Sequence, residues 1–310
     1  MQVSPGCRYP FGKVFELCYN RSGSYCVEAY LSVVRRTMKI TCVVDDRAQP
    51  GAGLQAEHGA SFLIEVEGRQ VLFDSGPSDS VLLHNLAALG YKAQQLDALV
   101  LSHGHDDHTG GVAVLLEQVP GLRLYAHPDL FRERFRKTDT GPRRVGPAID
   151  EAAAAEGATL RLSRTPVEVV PGLWITGEIA PRPEPEGRGP HLVVREGDGW
   201  VADPYLDDIS VVIEGTDGLV LVCGCCHAGL LNTLACVRTE FGQDPVAVVG
   251  GIHLMSADGP TMDHVVEGLR TYGPPQMWLG HCTGQRAYLA LKVAFGDRVL
   301  PCLGGMVLTL

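Results

Sequence analysis

The chain has no uninterrupted apolar run near the roughly 20 residues that a membrane-spanning helix needs. No membrane partner is therefore expected. It has no excess of basic residues. Its 26 Lys and Arg face 36 Asp and Glu, for a formal net charge of −10. Domains that hold nucleic acid by its backbone are normally basic, so no nucleic-acid partner is expected either. The first residues lack the continuous apolar core of a secretion signal, and Arg8, Lys13 and Glu16 interrupt them. Evenly spaced cysteines are also missing. There are ten, but Cys223, Cys225 and Cys226 crowd into four positions. That is poor spacing for a disulfide framework, and it points to free thiols in a reducing, cytoplasmic compartment. No short repeat and no separate flavin module is visible.

What is present is a chain of 310 residues, 45% hydrophobic and 20% charged, the balance of a soluble globular protein. Residues 1–37 are mixed and read as an N-terminal extension, either a short helix or a divergent leader. The domain proper is expected over 38–310. KITCVVDD reads as a strand, and ASFLIEVEG with RQVLFDSG as a hairpin turning at Glu67-Gly68. DSVLLHNLAALG reads as a helix closed by Gly90. DALVLS is a short buried strand, followed by a helix over GVAVLLEQV with Thr109 at its cap. GLRLYAH is a further strand, and DLFRERFRK a candidate helix. Residues 138–160 read as loop around a short alanine-rich helix, and 180–190 as a flexible polar loop or lid. HLVVRE, ISVVIE, LVLVCGC, PVAVVGG, QMWLGH and VLPC are strand candidates. Helices are expected near 227–241, 262–272 and 285–295. Both halves alternate strands and helices. Two αβ halves packed sheet to sheet fit this, as does an ordinary three-layer α/β fold.

LSHGHDDHTGG, residues 101–111, places three histidines and two aspartates in six consecutive positions directly after the buried strand. An extended pair such as His103 and His105 puts both rings on one side. Asp107 and His108 follow on the turn. Gly104 and Gly110-Gly111 let the backbone approach closely. Imidazole and carboxylate together suit Zn, Fe(II), Mn or Co, so the cluster reads as a metal site.

His103-Gly-His105-Asp-Asp107-His108 resembles the HxHxDH signature of the metallo-β-lactamase fold superfamily, and the resemblance runs from about Met38 to the end. It implies an α+β fold, a four-layer αββα sandwich with a one- or two-metal site at one edge of the sheets. His103 and His105 would share one ion with a third histidine, and Asp107 and His108 would bind the second. LWITGEI, DPYLDD, GCCHAGLLNTL, VVGGIHL and LGHCTG resemble the subgroup that includes the 7,8-dihydropterin-6-methyl-4-(ribofuranosyl)-aminobenzene 5'-phosphate synthase. Two departures stand out. No G-H-x-x-G turn is evident, and Cys225 stands where the bridging aspartate is expected. His227 is taken as the third imidazole and His281 as the ligand at the last strand end. Cys225 is a candidate soft ligand or bridge, or a packed thiol.

Around this set, His253 is a candidate for substrate contact, outer support or metal ligation, or is a structural residue. Asp208 (or its neighbour Asp207) and Asp74 are candidates to orient ligand histidines, or are ordinary cap and turn residues. Arg182, Arg188 and Thr283 are candidate anion contacts. His58 is a candidate for the cavity mouth. His84, His127 and His191 are read as structural. The expected activity is hydrolysis of a small anionic ester, a phosphoester, by metal-activated water with Asp107 handling a proton. The expected metal is Zn, with Mn or Fe as alternatives, and two ions per chain. The second reading is a synthase-like transfer at a pterin diphosphate, and the third a non-catalytic binding protein. A homo-oligomer is compatible with the pattern.

Overall fold

Glu67 and Gly68 both have positive φ, 50° and 73°. This two-residue turn matches the twist of the strands it joins, Ser61–Val66 and Arg69–Phe73, as the sequence predicts. The computed structural model describes residues 37–189 and 191–310. Before them it describes only the backbone of an antiparallel strand pair, Phe15–Tyr19 with Tyr25–Ala29. Tyr25–Ala29 is thus a strand rather than a helix. The rest of the expectation for the N-terminal extension lies outside the described residues.

Two seven-stranded sheets dominate. The first runs, edge to edge, through Ala158–Leu162, Leu122–Ala126, Ala98–Val100, Arg69–Phe73, Ser61–Val66, Met38–Val44 and Val307–Thr309. The second runs through Val167–Val170, Leu173–Ile175, Ser210–Glu214, Leu219–Cys223, Pro245–Gly250, Gln276–Leu279 and Val299–Pro301. Each is parallel at one end and antiparallel at the other. The last strand crosses over to close the first sheet against Met38–Val44.

Side-chain alternation builds the layers. Phe62, Ile64 and Phe73 point between the sheets and meet Val211, Ile213, Val222 and Val249. Leu63 and Leu72 point outward, under Leu82, Leu86 and Leu115 of helices Asp79–Ala88 and Val112–Gln118. On the far side, Leu221, Val248 and Met277 lie under Leu234, Val265, Leu269 and Leu291. These belong to helices Leu230–Phe241, Gly259–Tyr272 and Gln285–Phe295. Strands covered on both faces read as continuous apolar runs, which is why LVLVC and PVAVV were legible. The result is a four-layer αββα sandwich. Among the described residues, no helix is long and apolar enough to cross a membrane.

Four local expectations are corrected. DLFRERFRK is not a helix but a 3₁₀ turn, Pro128–Phe131, followed by a strand, Arg134–Thr138. That strand pairs with Gly141–Arg144, inside the stretch expected to be loop, and with Leu192–Glu196. With Gly199–Ala202 they form a separate four-stranded sheet. Its charged outer positions hid its period in the sequence. Thr109 does not cap a helix: its hydroxyl donates to the His105 carbonyl and accepts from the Ala148 amide. The 180–190 loop is pinned rather than free. Asn232 bonds both the amide and the carbonyl of Glu184, and the Gly187 amide donates to the His227 carbonyl.

Candidate metal centre

The site is assembled at one edge of both sheets. Asp74, His103, His253 and His281 each follow the carboxyl end of a parallel strand, where open α/β sheets place their ligands. Cys225 and His227 follow Leu219–Cys223 at the same edge. The backbone is strained there: Asp74, Cys226, His253 and His281 all have φ between 42° and 60°. Such conformations persist only where the surroundings impose them.

Two groups of donor atoms face one another. In the first, His103, His105 and His227 converge, with ligand atoms all within 4.8 Å. His103 Nε2 is 3.0 Å from His105 Nδ1. His227 donates Nδ1–H to the Gly187 carbonyl at 2.7 Å, which leaves Nε2 buried with no partner among the described residues. In the second group, His108 Nε2 is 3.3 Å from His281 Nε2. Asp107 Oδ2 is 3.8 Å from His108 Nε2 and 3.5 Å from His281 Nε2. Cys225 sits between the groups, its Sγ 3.2 Å from His108 Nε2. It clusters with His103 and His108 on one side and with His281 and Cys282 on the other.

The nitrogens of His103, His108 and His281 that face away from the cluster are held by other groups, whereas His105 Nε2 is buried with no partner among the described residues. Ser102 Oγ is 2.9 Å from His103 Nδ1 and donates to Asp74 at 2.7 Å. Asp74 Oδ2 is also 2.7 Å from His108 Nδ1. Asp46 Oδ1 is 2.7 Å from His281 Nδ1. Partners of this kind fix ring orientation and tautomer in metal sites. The donor set, imidazole with carboxylate and one thiol, suits Zn, Mn or Fe, and the unpartnered His227 Nε2 is a donor such a cation would take.

Electrostatics agrees with that fit. Burial holds His103 and His227 well below the usual histidine range, and His105 at about 3, so all three stay neutral as ligands must. Burial would raise the Asp107 carboxyl, yet the imidazoles of His108, His281 and His105 bring it down to about 2. Burial opposes a charge on His108, but Asp107 and Asp74 outweigh it and lift His108 to about 9. A cation binding there would displace that proton.

Beneath the HxH turn lies a buried charge network. Arg134 is 1% exposed and pairs with Asp203 at 2.9 Å and with Asp207. Asp207 Oδ2 in turn accepts from the Gly104 amide at 2.7 Å. A Cβ at Gly104 would lie 2.1 Å from the Leu130 carbonyl oxygen, so only glycine fits. Asp208 accepts from the Ala228 amide at 2.8 Å, bracing the His227 turn, while its Oδ1 has no partner among the described residues.

A cavity of about 200 Å³ opens over the cluster. His58, His105, Asp107, Cys225, His253 and His281 line it, together with Arg136, Arg143, Val145 and Leu192 of the four-stranded sheet and its flank. The His253 ring lies 4.2 Å from that of His227. His58 bonds Asp46 at 2.9 Å. Arg182 and Arg188 do not line this cavity. Arg182 is spent on the carbonyls of Ile179, Pro204 and Tyr205 at 2.7–2.9 Å. Arg188 pairs with Glu186 and borders an adjoining groove. Thr283 is buried, its hydroxyl accepting from the Ile252 amide. Sequence reasoning missed Asp46, Ser102, Arg134, Arg136 and Arg143. Asp46 carried a usable signal, since it follows the strand Met38–Val44 by two residues.

A family model described as the Metallo-beta-lactamase superfamily matches residues 54–227. The chain is 30% identical over 264 residues to the 7,8-dihydropterin-6-methyl-4-(beta-D-ribofuranosyl)-aminobenzene-5'-phosphate synthase of Methanocaldococcus jannaschii, covering 81% of this chain and 89% of that one. Among solved structures it resembles Tm1679, described as a metal-dependent hydrolase of the beta-lactamase superfamily. The TM-score is 0.75 at 27% identity, over 87% of this chain and 98% of that one. Zn(2+)-bound PqqB from Methylobacterium extorquens shares the fold alone, with TM-score 0.55 and 12% identity over 88% of this chain and all (100%) of that one. The chain belongs to the metallo-beta-lactamase superfamily.

Proposed function

We propose that the chain is a metal-dependent hydrolase of a small anionic ester, a phosphoester. The observation that carries this reading is the pair of facing donor groups at the floor of one cavity, with Cys225 between them. His103, His105 and His227 would hold one ion, and Asp107, His108 and His281 the other. Zn is the first choice, with Mn or Fe as alternatives. When bound, the ions supply Lewis acidity and a water that ionises near neutral pH.

The chain's own residues supply the rest. Asp107, ionised and open to the cavity, accepts a hydrogen bond from water and orients it toward the ester. Asp74, Ser102, Asp46 and the Gly187 carbonyl keep the imidazoles in place. Val145 and Leu192 exclude bulk water from one wall. The direct test is turnover of bis(4-nitrophenyl) phosphate and 4-nitrophenyl phosphate by protein loaded in turn with Zn, Mn and Fe. Metal-dependent turnover that is lost in Asp107→Ala supports the reading. No turnover with any metal counts against it.

The synthase relative, similar over 81% of this chain, favours a second reading. There the same centre would promote departure of diphosphate from a dihydropterin, with the aminobenzene ribofuranosyl phosphate as the attacking partner. Product formation from those two substrates would select it over hydrolysis.

A further inference from the structure

Arg136 and Arg143 are directly opposite each other on the antiparallel pair Arg134–Thr138 and Gly141–Arg144. Opposed residues share one face of a sheet. Arg134, two positions before Arg136, shares that face too and reaches down into the network under the HxH turn. Arg136 and Arg143 therefore stand above the cluster, and both line the cavity whose floor is the cluster. Arg134 is engaged by Asp203, Asp207 and backbone carbonyls, whereas neither Arg136 nor Arg143 has an ion pair among the described residues. Asp106, which also lines the cavity, feels the charge of Arg143. Like charges directly opposite on one sheet face destabilise it. An anion placed between them reverses that cost.

We propose that Arg136 and Arg143 form an anion subsite that holds a second phosphate group of a two-ended substrate, whose reacting end lies at the histidine cluster. A phosphate carries up to two negative charges and several acceptor oxygens, matching two guanidinium forks. The reacting end rests on the hydrolase reading above; the subsite itself rests on the arginine pair.

The test is calorimetric titration of metal-loaded protein with a series of α,ω-alkyl bisphosphonates and the matching monophosphonates, whose carbon–phosphorus bonds are not hydrolysed. The best bisphosphonate should bind about tenfold or more tighter than its monophosphonate, the worth of charge-assisted hydrogen bonds. Arg136→Gln with Arg143→Gln should erase that advantage, and lysine at both positions should restore part of it. Lys137→Gln, on the opposite face, should retain it. A series with no bisphosphonate advantage, or an advantage that survives the double glutamine variant, overturns the proposal. If the advantage appears while no aryl phosphate is turned over, the hydrolase reading fails and the subsite stands.

Discussion

Asp74 Oδ2 lies 2.7 Å from His108 Nδ1, and both side chains are fully buried. The same carboxylate receives the Ser102 amide and hydroxyl, each at 2.7 Å. One aspartate thus aims His108 directly and His103 through Ser102. Asp74→Asn keeps the shape and tolerates the positive φ but weakens both links. Metal affinity should fall about 10- to 100-fold, the usual loss when such a partner is changed. Competition with a chromophoric chelator measures it. Unchanged affinity would remove Asp74 from the metal account.

Metal should also add to folding stability, because the facing imidazoles and Asp107 are assembled only in the folded chain. An ion at about 100 times its dissociation constant adds about 2.7 kcal/mol. In a chain of 310 residues that corresponds to a melting shift of about 4 °C per ion. Dialysis against dipicolinate, followed by calorimetry with and without added Zn, should show that shift. Identical melting curves would mean that the cluster holds no ion in the folded state.

The network under the HxH turn should be costly to break from one side only. Arg134→Met leaves Asp203 and Asp207 buried without their cation, and Asp207 also holds the Gly104 amide. Removing one partner of a buried ion pair typically costs about 3–5 kcal/mol. Urea unfolding should show a loss of that order together with reduced metal affinity. A loss under about 1 kcal/mol would show that the pair is dispensable to the turn.

Cys225 lies between the two donor groups, 3.2 Å from His108 Nε2. Burial pushes its thiol up, so its ionisation calls for a cation beside it. If Cys225 ligates metal, the cobalt-loaded protein should show a thiolate charge-transfer band that disappears in Cys225→Ser. Absence of the band in the parent protein would make Cys225 a packed thiol.

The sequence carried the fold where burial was two-sided, because strands such as LVLVC then read as plain apolar runs. It carried HxHxDH because five chemically informative residues fall within six positions. It failed where an element answers to a distant partner. Arg134–Thr138 looked helical because its charges serve the cavity and a buried network rather than solvent. Ser102 was silent because its role depends on His103 and Asp74 arriving beside it. Arg182 and Arg188 suggested anion binding by composition alone, yet backbone carbonyls and Glu186 occupy them. The arginines that do face the cavity lay in a segment read as helix and loop.

The central claim is that His103, His105 and His227 bind one ion and Asp107, His108 and His281 a second. Plasma mass spectrometry of protein purified without added metal or a histidine tag, then titrated with Zn, tests it most directly. The account predicts two equivalents per chain, falling to one in Asp107→Ala with the fold kept. A chain that holds no metal as purified and takes up none on titration would contradict it.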